Sequence, residues 1–177
     1  DGYVAAKALA QTKLAAVNAL VADPANNTVI VKSTAELSAA HTAGKSALIL
    51  GFQNALILGT DVGGIDSLYS SGARVFALTH MGHNNVADSS RTLVDGETGT
   101  REPDAEHGGL SSLGKAAVQK VNQLGGVMDI SQLSMEAAMQ VMALSSTPVI
   151  ASHSNVRALT NVSRNLSDQE IDRIGQT

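Results

Sequence analysis

Pro148-Val149-Ile150-Ala151-Ser152-His153-Ser154 is a short β-branched run that stops abruptly in a polar triplet. In a parallel α/β protein, a histidine just past the C-terminal end of a strand stands where ligands and metals bind. The same pattern occurs twice upstream, at Leu78-Thr79-His80 and at Ile130-Ser131-Gln132. Three strand ends carrying polar, ligand-capable side chains form a candidate active-site rim. Between the two histidines stands Gln132, where an imidazole would be the stronger ligand.

Working outward, helix-period and strand-like segments alternate, which argues for βα units and a parallel sheet. Residues 4–22 are Ala/Leu-rich with helical apolar spacing and stop before Pro24. Thr28–Val31 reads as a strand, and Ser33-Thr34-Ala35-Glu36 as a capping box opening a helix that ends near Gly44. Ser46–Leu50 is an apolar strand, residues 61–71 a helix closed by Gly72, and Arg74–Leu78 the next strand. A polar segment rich in Gly, Asp, Asn and Ser runs from His80 to Gly109, and a loop of that length inside a compact domain is usually functional or mobile. Helices over Leu113–Leu124 and Met135–Leu144 flank a strand at Gly126–Ile130, and Pro148–Ala151 is the fifth strand. Ser167-Asp168-Gln169-Glu170 is a second capping box. No linker interrupts residues 1–177, so one domain is the economical reading. Five βα units do not close a barrel of eight, which leaves an open doubly wound sheet or a piece of a larger barrel.

Composition narrows the function classes. A chain of 177 residues can bury a sizeable core, roughly 70% of its unfolded surface. Apolar residues make up 44%, mostly Ala, Val, Leu and Ile, with two Phe, two Tyr and no Trp, which suits tightly packed helix-on-sheet layers. A net charge of −4 without any basic stripe argues against a nucleic-acid or anionic-membrane partner. Without cysteine there is neither a disulfide framework nor a thiolate metal site. The apolar runs are too short to span a bilayer. The chain opens at Asp1-Gly2-Tyr3 without Met, as a processed or truncated N-terminus would, and its Ala/Asn/Ser/Gln-rich composition suits a bacterial periplasmic or envelope protein. A homo-oligomer is compatible with everything above.

His153 is the best metal-ligand candidate, because neutral imidazole at a strand end suits zinc, and Ser152 and Ser154 could hydrogen-bond it. The alternative is a buried, satisfied histidine. His80 could contact a metal-bound substrate or stabilise oxyanion charge, or simply hydrogen-bond the backbone of its loop. His83 and His107 are expected to face solvent, and His41 to lie on a helix surface. Gln53 and Gln132 end apolar strands, but an amide oxygen is a weak, uncharged ligand, so ligation and a hydrogen-bonding rim role stay open for both. Arg164, eleven residues beyond His153, could clamp a carboxylate bidentately. No glycine-rich phosphate loop, Gly-x-Ser-x-Gly or His-Glu-x-x-His occurs.

Several collinear motifs carry a resemblance. They are Ala77-Leu78-Thr79-His80 with Asn84-Asn85-Val86-Ala87-Asp88-Ser89, then Gly108-Gly109-Leu110-Ser111-Ser112-Leu113-Gly114-Lys115. They continue through Val121–Ser131, the Pro148–Ser154 run, and Arg164-Asn165-Leu166-Ser167-Asp168. In these the chain resembles the membrane (renal) dipeptidases, peptidase family M19. The resemblance implies a (β/α)8 barrel of the metallo-dependent hydrolase type, with two zinc ions at its C-terminal mouth, hydrolysing dipeptides through metal-activated water. It makes His153 a zinc ligand, His80 the catalytic residue that contacts substrate and stabilises the tetrahedral intermediate, and Arg164 the binder of the substrate carboxylate.

Two positions depart from the family pattern. Gln53 stands where the bridging glutamate is expected, and Gln132 where a second zinc-ligand histidine is expected. The family's His-x-Asp pair and a late aspartate have no counterpart in residues 1–177, which makes the chain look like an internal segment. The expectation is therefore a dipeptidase-like metallohydrolase with an altered metal site and at most one zinc per complete chain. The alternative is a non-hydrolytic or repurposed peptide-binding relative, for example in peptide natural-product maturation.

Overall fold

The structure is a computed structural model that describes residues 2–177. Helix α1 (Gly2–Ala22) ends where Asp23 turns the chain, accepting the Ala25 N–H across 2.9 Å to cap a short 3₁₀ turn at Pro24–Asn26. Pro at the first turn costs no hydrogen bond and fixes the helical φ. Strand β1 (Thr28–Ile30) leads to α2 (Thr34–Thr42), whose N-cap Ser33 accepts the Glu36 N–H. The return contact of the expected capping box lands one residue early: Glu36 accepts the N–H of Lys32, not that of Ser33. Strand β2 (Ser46–Leu48) pairs in parallel with β1.

Strands β3 (Leu50–Gln53), β4 (Ala73–Ala77) and β5 (Val127–Asp129) form a second parallel sheet in the order β3-β4-β5. Helix α3 (Gly63–Ser70) connects β3 to β4, and α4 (Ser112–Leu124) precedes β5. Helices α5 (Met135–Leu144) and α6 (Asp168–Ile174) complete the chain. Ser167 and Glu170 make the reciprocal capping box expected for α6.

Two strand expectations need correction. The apolar run 46–50 is divided at Ile49: residues up to Leu48 pair with β1, while Leu50 begins pairing with β4. The run Pro148–Ala151 makes no strand of its own. Only Ile150 bridges in parallel to Asp129, held by Ile130 N–H to Ile150 O and Ile150 N–H to Met128 O, each 2.9 Å. β-Branching supplies the propensity, but ladder length depends on the neighbour, and β5 is itself three residues long.

The core lies between the β3-β4-β5 sheet and helices α3, α4 and α5. Phe76, Leu78, Met128 and Ile130 from the sheet meet Ile65, Val118, Val121 and Val141 from the helices, all essentially buried. The segment 80–109 contains no helix or regular strand and folds back onto this core, burying Val86, Ala87 and Asp88. Among the described residues no helix is long and apolar enough to cross a membrane.

Candidate active site

Parallel register brings the polar strand ends to one edge. Gln53 pairs with Ala77, Ala77 with Asp129, and Asp129 with Ile150, so the residues that follow each strand emerge side by side. There the Gln53 carboxamide nitrogen lies 2.7 Å from Gln132 Oε1 and 3.3 Å from His153 Nε2. Gln132 is nearly buried and has a left-handed backbone, φ 72°. Its carbonyl accepts the Thr79 hydroxyl at 2.8 Å and the Ser90 N–H at 2.9 Å, which hold it in that conformation.

His153 is fixed from three sides. Its N–H donates to Ser131 Oγ at 3.1 Å, its Nδ1 lies 2.7 Å from Ser152 Oγ, and its carbonyl accepts Arg164 Nη2 at 3.4 Å. Ser152 Oγ also contacts the buried Asp129 carboxylate, which accepts the N–H groups of Ser131 and Ser152 as well. Ser152 therefore bonds the imidazole as expected, whereas Ser154 reaches only Ser131 Oγ, at 3.4 Å. Asp129 joins the rim residues without having been singled out by the sequence, and Ser131, part of the polar strand end Ile130-Ser131-Gln132, accepts the His153 N–H. Their signal was a lone acid and a hydroxyl alternating with apolar residues in Val127-Met128-Asp129-Ile130-Ser131.

Arg164 is half-buried, and its Nη1 is enclosed without a hydrogen-bond partner among the described residues. Burial lowers its guanidinium pKa, the nearby Arg91 cation lowers it further, and Asp129 works in the opposite direction. His80 is exposed and lines a cleft of about 890 Å³ with Gln53, Asn54 and Phe52, to which Leu14 and Val17 of α1 also contribute. Gln132, His153 and Arg164 do not line that cleft; Gln53 joins the two regions.

Two loop histidines differ from expectation, while His41 is exposed on α2 as expected. The His83 side chain is fully buried: Nδ1 accepts the Ser89 N–H at 3.0 Å and Nε2 lies 2.8 Å from Pro103 O. His107 is half-buried with Nε2 2.8 Å from Asn84 O. Both serve as internal cross-links of the long loop, whose backbone carbonyls need donors once they leave solvent.

The donor set at the rim does not fit a pair of divalent cations. Among the described residues no group of three or more His, Asp or Glu side chains converges. The rim offers one imidazole and two neutral carboxamides, and the Gln53 amide already bonds both Gln132 Oε1 and His153 Nε2, the atoms a cation would need.

The family model described as membrane dipeptidase (peptidase family M19) matches residues 4–177. Dipeptidase verJ of Clonostachys rogersoniana is 30% identical over 145 residues, which cover 82% of this chain and 35% of that protein. The crystal structure of the probable dipeptidase PvdM from Pseudomonas aeruginosa superposes with a TM-score of 0.87 at 38% identity, covering 94% of this chain and 40% of the other. A metallo peptidase from Rhodobacter sphaeroides, liganded with a phosphinate mimic of the dipeptide L-Ala-D-Ala, gives a TM-score of 0.74 at 25% identity, covering 85% of this chain and 41% of that one. The chain thus spans well under half the length of these relatives, and its α/β fold is part of a (β/α)8 barrel of the metallo-dependent hydrolase type. It belongs to the membrane dipeptidase family, peptidase family M19.

Proposed function

We propose that the protein carrying this chain is a dipeptidase-like hydrolase of dipeptides or small peptides, with an altered metal site that holds at most one zinc. The single observation behind the altered site is the Gln53 amide bonded to both Gln132 and His153. A zinc ion, where bound, would supply an activated water and polarise the scissile carbonyl. The two glutamines and His153 are a poor set for holding it, so any ion would depend on ligands outside this chain. The proposed roles of the chain's own residues follow from their chemistry. Arg164, whose enclosed Nη1 has no partner among the described residues, donates to the substrate carboxylate. His80, at the cleft beside Gln53 and Asn54, donates to the carbonyl oxygen as negative charge develops there.

A second reading has its own support. Because Gln53, Gln132 and His153 satisfy one another, the rim is a finished hydrogen-bonded surface, suited to a relative that binds a peptide without hydrolysing it.

The full-length protein is to be assayed on a dipeptide set with zinc present, alongside calorimetric titration with a phosphinate dipeptide mimic. Hydrolysis, with KM raised at least tenfold by Arg164→Met, is the expected result. Binding without hydrolysis selects the second reading, and neither binding nor hydrolysis defeats both.

A further inference from the structure

We infer that Asp129 and Ser152 are positioning residues that hold His153 with a proton on Nδ1 and its Nε2 lone pair turned toward Gln53. The direction of each hydrogen bond follows from the buried end of the chain of contacts. The Asp129 carboxylate accepts the N–H groups of Ser131 at 2.9 Å and of Ser152 at 3.2 Å, both through Oδ1, and its Oδ2 touches Ser152 Oγ. In that contact the Ser152 hydroxyl is the donor and Asp129 Oδ2 the acceptor, so the one hydroxyl proton points at Asp129. Ser152 Oγ then faces His153 Nδ1, 2.7 Å away, with a lone pair only. The proton of that contact sits on Nδ1. At the other end of the ring the Gln53 amide nitrogen, a donor only, faces Nε2 at 3.3 Å, which gives Nε2 the acceptor role.

Were Nδ1 the acceptor, Ser152 would have to turn its only proton to the imidazole and give up its donation to Asp129. The chain of contacts continues into the two glutamine amides, where Gln53 donates and Gln132 Oε1 accepts at 2.7 Å. A ligand that reaches His153 must displace Gln53 and bring a donor or a cation of its own. The inference concerns the ring alone and holds whether or not the protein hydrolyses peptides.

Histidine-selective ¹⁵N labelling of the full-length protein tests it at neutral pH, with the His153 signals assigned by their loss in His153→Gln. Long-range ¹H–¹⁵N correlations distinguish Nδ1–H, Nε2–H and imidazolium. Wild type is expected to show Nδ1–H. Ser152→Ala is expected to lose that pattern, and Ser152→Thr, which keeps the hydroxyl, to retain it at unchanged thermal stability. An Nε2–H or imidazolium pattern in wild type overturns the inference, and this spectrum decides even if Ser152→Ala does not fold. So does a Ser152→Ala protein whose His153 pattern matches wild type.

Discussion

Thr79 donates its hydroxyl to the main-chain carbonyl of Gln132 across 2.8 Å, tying the end of one strand to the left-handed residue beyond another. Both residues are buried, and the non-glycine φ of 72° at Gln132 persists only because such contacts hold it. Thr79→Val keeps the shape and deletes the donor, leaving the Ser90 N–H at 2.9 Å on the same carbonyl. The expected cost is about 1 kcal/mol, read as a lower urea midpoint at constant m-value. An unchanged midpoint would show that the bond contributes nothing.

Asp88 is the electrostatic anchor of the long loop. Its fully buried carboxylate accepts the N–H groups of Glu106, His107 and Gly109 at 2.8–3.2 Å, with His83 Nδ1 3.5 Å away. Burial is the largest influence on it and pushes the carboxyl up, but the N–H donors of Gly109, Glu106 and His107 outweigh it, and its pKa falls below the ordinary 3.8. A depressed folded-state pKa stabilises the native state above the unfolded value, and that share is lost as pH falls through the folded one. Stability should therefore drop on acidification below about pH 4. Asp88→Asn sets an NH2 group against at least one backbone N–H, and should cost about 2–3 kcal/mol at neutral pH while flattening the acid limb. Denaturant titrations of both proteins from pH 3 to 7 check this, and parallel acid limbs would contradict it.

Gly114, in the first turn of α4, lies so close to the loop that an added Cβ would collide with the Val86 carbonyl oxygen. That carbonyl also accepts the Ser111 N–H at the helix cap, so it cannot move freely. Gly114→Ala would gain helix propensity elsewhere, yet here should destabilise by about 2–3 kcal/mol. A thermal midpoint equal to or above wild type would show that the loop yields.

If two amides are what disfavours metal at the rim, restoring the family's side chains should reverse it. The double variant Gln53→Glu with Gln132→His replaces both carboxamides by a carboxylate and an imidazole beside His153. It should retain at least one zinc more per chain than wild type after dialysis against trace zinc. Equal zinc content in a folded double variant would mean that other residues decide the metal count.

How far the sequence told this in advance varies with the physics of each element. Helix α5 has the bounds its apolar spacing predicts, and the Ser167–Glu170 box reads directly, because both signals are local. The division at Ile49 is invisible in an unbroken apolar run, since it depends on which neighbour each half pairs with. The polar setting of His83 and His107 suggests solvent, and only the fold of the loop brings Pro103 O and Asn84 O to them. At the rim, Gln53, Gln132 and His153 do converge, with Arg164 behind them. The role of Asp129 is not legible from its alternation with apolar neighbours, because only the fold brings Ser152 to its carboxylate and His153 to Ser152.

The most direct test is the metal content of the full-length protein, purified without chelator, dialysed against trace zinc and measured by elemental analysis. No more than one zinc per chain is expected, because the Gln53 amide bonds the two rim atoms a second ion would need. Two zinc ions per chain would contradict it, and would mean that Gln53 and Gln132 give way to a complete binuclear centre.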